Sequence, residues 1–178
     1  GLRTASEVRT SGIDIGSPVV YKPYSEIIGD EKIIGTSVDD RAGCAVLLEV
    51  ARQINSRAAG PEINIVFTVQ EEFNLRGALP VAQKIKPEIA IQIDLLLASD
   101  TPDMRDFGEI KLGEGPGISM FSFHGRGTLN GVIPHPVLVK HFEQAASKEN
   151  INLQKSALIG ALTDLSYCLL YTSPSPRD

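Results

Sequence analysis

Carboxylates at three places along the chain have the type and spacing to do chemistry: the Asp39-Asp40 pair, the Glu71-Glu72 pair and Asp94. Glu71-Glu72 follows an apolar, β-like run, Ile63-Asn64-Ile65-Val66-Phe67-Thr68-Val69-Gln70, and Asp94 ends the next such run, Ile89-Ala90-Ile91-Gln92-Ile93. Asp39-Asp40 opens a helical stretch. Open α/β sheets place their chemistry at the carboxyl ends of strands. Three acidic sites in succession there predict a centre for hard divalent cations with a carboxylate base beside it. Two-metal sites hold their ions about 3.5–4 Å apart, and a nearby free carboxylate can take a proton from the activated water and pass it to a leaving amine. Asp39 suits a bridging ligand, Glu72 and Asp94 terminal ligands, and Glu71 the free base.

Each signal alone has a plainer reading. A Glu-Glu pair after a strand is commonly a solvated loop, and an Asp at a helix start accepts bonds from the first unpaired N–H groups. Adjacent residues of an extended segment also point in opposite directions. Glu71 and Glu72 can therefore take different roles only if the strand ends there and the backbone turns. Gln70 to Asn74, followed by Gly77, permits that turn.

The elements that must position these groups read as follows. Residues 1 to about 32, broken by Gly and Pro with β-type fragments such as Val19-Val20-Tyr21, read as the end of a small β-rich unit. After Asp39-Asp40 a helix carries Leu47, Val50, Ala51, Ile54 and Ala58 on one face, until Gly60-Pro61 stops it. A strand over 63–69, a helix over about 77–85 and a strand over 89–93 form a βαβ unit, which predicts an α/β fold with a partly parallel sheet. Further on, 118–123 reads as a strand. A helix begins at Pro136 with Leu138, Phe142, Ala145 and Ala146 inward, and Ile159 to Asp164 is a strand-to-loop junction.

The 178 residues, 42% hydrophobic and 22% charged, suit one soluble domain with a core and part of another. A net charge of −5 argues against a nucleic-acid partner, and no apolar run reaches the roughly 20 residues that span a bilayer. Cys44 and Cys168 make neither a disulfide framework nor a zinc motif, and Cys44 reads as a small buried hydrophobe. A reducing, cytoplasmic setting is expected. His124, His135 and His141 lie far along the chain from the acids and read as packing or surface residues. Arg41 could hold a neighbouring carboxylate. Gly113-Glu114-Gly115-Pro116-Gly117 lacks the Lys-Ser/Thr of a phosphate loop.

In order, Ser37-Val38-Asp39-Asp40-Arg41-Ala42-Gly43, Val69-Gln70-Glu71-Glu72-Phe73-Asn74-Leu75-Arg76-Gly77-Ala78 and Ile91-Gln92-Ile93-Asp94 resemble the tetrahedral aminopeptidase family. That family includes glutamyl and deblocking aminopeptidases and proteins once labelled endoglucanase M. Asp100-Thr101-Pro102, Gly113 to Pro116 and Gly160-Ala161-Leu162-Thr163-Asp164 look like later landmarks in the right order, and the match runs from about Thr4 to about Tyr167. The resemblance implies an α/β zinc-peptidase-like catalytic domain with two divalent ions, Zn or Co, interrupted by a small inserted β-barrel domain used for oligomerisation. By motif position it makes Asp39 the bridging ligand, Glu71 the catalytic base, and Glu72 and Asp94 ligands on the two metals. It implies short peptide substrates and homo-oligomers, from dimers to hollow dodecamers.

Its departures shape the expectation. The family's two metal histidines, one in an upstream His-x-Asp and one after the Thr-Asp landmark, are absent. The chain is therefore expected to be an internal fragment: residues 1–32 the end of the insert, 33–167 part of the catalytic domain, and 168–178, a Ser/Pro-rich tail, non-native sequence. Phe73-Asn74 stands where Val-Gly is common, and Leu162 interrupts Gly-Gly-Thr-Asp, so substrate preference stays open. Two alternatives remain: a non-catalytic relative that assembles or binds peptides, and a glycoside hydrolase, which needs two carboxylates about 5–9.5 Å apart and no metal. The chain has no Trp and is only 6% aromatic, which offers a sugar little to stack on.

Overall fold

The structure, a computed structural model, describes residues 1–54, 59–124 and 131–172. Ala58 and the end of the expected tail, residues 173–178, lie outside the described residues. Two compact units divide the chain, Gly1–Val38 and Asp39–Asp178.

The first unit begins with a helix that the sequence reading did not anticipate, α1 (Ala5–Thr10), closed by a capping box in which Thr4 and Glu7 satisfy each other's backbone N–H groups. An antiparallel hairpin follows, β1 (Ser25–Ile28) paired with β2 (Lys32–Gly35), in the register Ser25↔Gly35 to Ile28↔Lys32. Val19-Val20-Tyr21 carries no strand and stands exposed.

The second unit has an α/β architecture with a mixed sheet, in agreement with the fold class read from the sequence. Its helices are α2 (Val38–Ile54), α3 (Ala78–Ile85), α4 (Pro136–Lys148) and α5 (Leu165–Thr172). The sheet has the order β4-β3-β5, from β3 (Gly117–Phe123), β4 (Gly131–Val132) and β5 (Gln154–Ile159). β3 runs parallel to β5 and antiparallel to β4. The loop before β3 is stapled rather than open: Gln154 donates to the carbonyls of Lys111 and Gly115 and accepts from the Lys111 N–H, while Asn152 donates to Glu114. α5 runs through the first residues expected to be a foreign tail.

The parallel pair is not the one expected. Residues 63–69 and 89–93 carry no strand, and Ile63, Phe67, Val69, Ile89 and Ile91 are between about half and two-thirds exposed. Apolar alternation reports a face suited to burial. A strand also needs a neighbour for its N–H and C=O groups, and none pairs with these segments among the described residues.

Helix faces follow the same logic. On α2, Leu47, Ala51 and Ile54 are half-buried while Val50, off that stripe, is exposed. On α4 the inner face is rotated from the expected one: Val139 is buried, Leu138, Glu143 and Ala146 are half-buried, and Phe142 and Ala145 face outward. Valines and leucines on both sides of the first turn leave the face undecided locally. Glu143 meets Lys155 of β5 at 2.6 Å on the side observed.

Among the described residues the buried apolar side chains are Leu75, Ala78, Ala82, Ile110, Val132 and Val139. Ala78 and Ala82, one turn apart, give α3 a small-residue face, and α3 packs against α5. Gly77, just before α3, is buried with Val69 so close that a Cβ would collide with the Val69 backbone. Gly77→Ala must therefore push the Glu71 turn away from the helix. Overpacking of this kind costs about 1–3 kcal/mol, which predicts a lower denaturant midpoint at unchanged slope. A wild-type midpoint would contradict this packing.

Candidate active site

The helix start, the turn after the first apolar run and the end of the second run bring the predicted acids into one electrostatic neighbourhood. At the helix start the two aspartates divide the work. Asp39 and Asp40 have non-helical backbone angles and are joined by a cis peptide, so regular helix begins after them. Asp40 Oδ1 accepts from the Gly43 N–H at 2.8 Å, which makes Asp40 the cap. A Cβ at Gly43 would overlap the Asp40 carboxylate, so a larger residue there would displace the cap. Asp39 is left exposed and outside the cap.

At Gln70 the chain turns through a left-handed conformation (φ 58°, ψ 40°), and Glu71–Phe73 form a single 3-10 turn. The turn is closed by Leu75 N–H to Glu71 C=O at 2.8 Å and Arg76 N–H to Gln70 C=O at 3.2 Å. A non-Gly residue held at φ > 0 is strained, and such strain gathers at functional sites. This is the turn that Glu71 and Glu72 require: Glu71 is half-buried and Glu72 exposed.

Burial first, then the charges of Asp94, Asp164, Glu72 and Asp39, push the Glu71 carboxyl up to about 7. Asp94 is raised to about 6, chiefly by burial and also by Asp39, Asp40 and Asp164, against a lowering bond from the Leu95 N–H. Among the described residues, every charge that acts on Glu71 is another carboxylate. The four predicted site residues, Asp39, Glu71, Glu72 and Asp94, therefore do share one field.

Asp164 belongs with them, although the sequence reading treated it only as a landmark. Its Oδ2 accepts from Thr68 Oγ1 at 2.5 Å, and its Oδ1 is buried with no hydrogen-bond partner. The available signal was the Thr-Asp at a strand-to-loop junction, the same pattern that singled out Asp94. Arg41 is exposed and makes no ion pair among the described residues, so it does not clamp a carboxylate. His135 caps α4, accepting from the Val137 N–H at 3.3 Å, and His141 is exposed; both behave as bland histidines. Cys44 is half-buried, and burial together with Asp164 pushes the Cys168 thiol up, away from nucleophile chemistry.

The donor chemistry fits a hard divalent cation: oxygen ligands only, charges that repel one another, and an orphaned buried carboxylate oxygen. The set is incomplete, since no three acid, His or Cys side chains among the described residues converge to metal-binding distance.

Comparison with known proteins places this arrangement. The sequence pattern of the M42 glutamyl aminopeptidases matches residues 1–174. SgcX of Escherichia coli (strain K12) is 36% identical over 94% of this chain, which covers 45% of SgcX. The aminopeptidase APDkam598 from the archaeon Desulfurococcus kamchatkensis superimposes with a TM-score of 0.83 at 31% identity, over 96% of this chain and 46% of that one. PhTET1-12s, solved as a dodecamer, gives 0.69 at 28% identity, over 84% of this chain and 42% of that one. The chain thus spans a little under half the length of the relatives it matches.

The raised carboxyls predict how stability follows pH without metal. Both groups are more protonated in the fold than in the unfolded chain. Their contribution is complete below the ordinary values of 4.5 and 3.8 and is lost as pH rises through about 7 for Glu71 and about 6 for Asp94. Metal-free protein should lose unfolding free energy between pH 4.5 and 7, and Glu71→Gln should flatten the upper part of that slope. Urea titrations in chelator across this range check it, and a flat wild-type profile would contradict the field described.

Proposed function

The chain belongs to the M42 glutamyl aminopeptidase family, and we propose on that basis that it forms part of a metal-dependent aminopeptidase that removes N-terminal residues from short peptides. The observation that supports this most is Glu71, a half-buried carboxyl raised to about 7 by burial first and then by surrounding carboxylates. In this reading two divalent ions, Zn or Co, would be held by Asp39, as the ligand common to both, with Glu72 and Asp94 as ligands to one each. When bound, such ions polarise the scissile carbonyl and make water acidic enough to ionise near neutral pH.

The protein's own part is positioning and proton transfer. The left-handed turn at Gln70 presents Glu71 inward while Glu72 faces the solvent side. Glu71 takes the proton of the attacking water and returns it to the leaving amine. Without metal, burial and then the charges of Asp94 and Asp164 hold the Glu71 carboxyl above that of an exposed glutamate, and bound cations would favour its ionised form, the form that takes that proton. Family membership favours peptide over glycoside hydrolysis.

A homo-oligomer, up to the dodecamer reported for PhTET1-12s, is the proposed assembly, with residues 1–32 as the end of an inserted oligomerisation unit. A cytoplasmic location and no nucleic-acid partner complete the reading, consistent with the −5 charge. Among the described residues no helix is long and apolar enough to cross a membrane.

In the full-length protein, Glu71→Gln should keep metal and lose about 10²–10⁴ in kcat, the usual share of a general base. Metal content by atomic spectroscopy, beside turnover of aminoacyl-p-nitroanilides, reads both. Turnover near wild type would remove Glu71 from the mechanism. The 178-residue chain alone should bind metal poorly and hydrolyse none of these substrates, and robust activity from it would overturn the view that its ligand set is incomplete.

A further inference from the structure

Gln92 lies in the Ile91-to-Asp94 motif, in which only Asp94 was given a role. It sits two positions before Asp94, half-buried, inside an otherwise apolar run. Its Nε2 donates to Asp94 Oδ2 at 2.9 Å, and its Oε1 accepts from the Leu165 N–H at 2.8 Å. Leu165 is the first residue of α5, where helix N–H groups have no intrahelical partner. The amide orientation is fixed by its partners: an ionised carboxylate only accepts, and a backbone N–H only donates. A side chain here must therefore offer a donor at one end and an acceptor at the other. Leu or Met offers neither, Lys cannot accept, and Glu would set a second negative charge against Asp94.

The neighbouring residue is tied from the other side. Thr68 Oγ1 donates to Asp164 at the same junction. The α5 start is thus cross-linked both to the segment that delivers Glu71 and Glu72 and to the one that delivers Asp94. Asp94 Oδ1 is held separately by its own neighbour, Leu95 N–H, at 2.8 Å. Each carboxylate oxygen then has one fixed donor and a lone pair left over.

We propose that Gln92 is a positioning residue, a two-ended clamp that orients the Asp94 carboxylate by tying it to the first turn of α5. The proposal rests on the reading of Asp94 as a metal ligand. Outer partners of this kind commonly set metal affinity by 10–100-fold. The clamp also links two events: a cation on Asp94 stiffens the carboxylate, the carboxylate steadies Gln92, and Gln92 protects the Leu165 amide. Such coupling is reciprocal, so loosening α5 weakens the cation site.

The test uses the full-length protein, cobalt(II) as probe, and the near-isosteric variant Gln92→Met, which keeps the packing and removes both hydrogen bonds. Cobalt affinity is read by titration of its visible absorption, and Leu165 by amide hydrogen exchange with and without cobalt. Wild type should show slower Leu165 exchange when cobalt is bound. Gln92→Met should bind cobalt about 10–100-fold more weakly and lose the cobalt-dependent protection. A merely structural glutamine would lower the unfolding midpoint and leave both readouts at wild type. Equal cobalt affinity in the variant, or wild-type Leu165 exchange indifferent to cobalt, overturns the clamp. Should Gln92→Met fail to fold, the wild-type exchange measurement decides alone. A wild type that takes up no cobalt at all would instead sink the aminopeptidase reading on which the clamp depends.

Discussion

Crowded negative charge is the constraint on which the second unit is arranged. Glu71 and Asp94 sit partly out of water within range of Asp39 and Asp164, and among the described residues no positive side chain is a cause of either shift. Left uncompensated, such a cluster costs folding free energy at neutral pH, because burial strips water from charges that also repel one another. Proteins keep an arrangement of this sort where a cation offsets it. A bound cation would relieve both the raised carboxyls and the buried Asp164 oxygen that has no hydrogen-bond partner among the described residues.

Around that cluster the local structure consists of devices that aim carboxylates. Asp40 takes the capping duty and so leaves Asp39 available, and Gly43 makes room for that cap. A strained turn at Gln70 keeps in one electrostatic neighbourhood two adjacent glutamates that a continuing strand would send to opposite faces. Gly77 lets that turn lie against the start of α3, whose Ala78 and Ala82 face into the core. Gln92 and Thr68 then tie the α5 start to both acid-bearing segments. Loss of any one device moves an acid without touching it.

The amino-acid sequence was most legible where the signal is local. A charge that interrupts an apolar run singled out Asp39, Glu71, Glu72 and Asp94, although the runs before Glu71 and Asp94 form no strand. Helix boundaries were legible for a similar reason: Pro136 opens α4, and Lys86-Pro87 follows the last residue of α3. What stayed hidden depends on partners far along the chain. Thr68 and Asp164 are 96 residues apart, Gln92 and Leu165 are 73 apart, and neither bond leaves a trace in spacing. Strand pairing is hidden in the same way. Residues 63–69 have a strand's pattern without a ladder, while β3 pairs with β5 across the α4 crossover. The inner face of α4 was ambiguous because its first turn is apolar on both sides, and contact with β5 resolved it.

The measurement that tests this account most directly is a carboxyl carbon NMR titration of metal-free protein, repeated with saturating zinc. The account predicts that Glu71 titrates near 7 and Asp94 near 6 without metal. It also predicts that both fall to or below the ordinary carboxylate range once zinc is bound, because an opposite charge favours the ionised form. Ordinary values without metal, or raised values that ignore zinc, would contradict the claim that these carboxylates are gathered to share a cation.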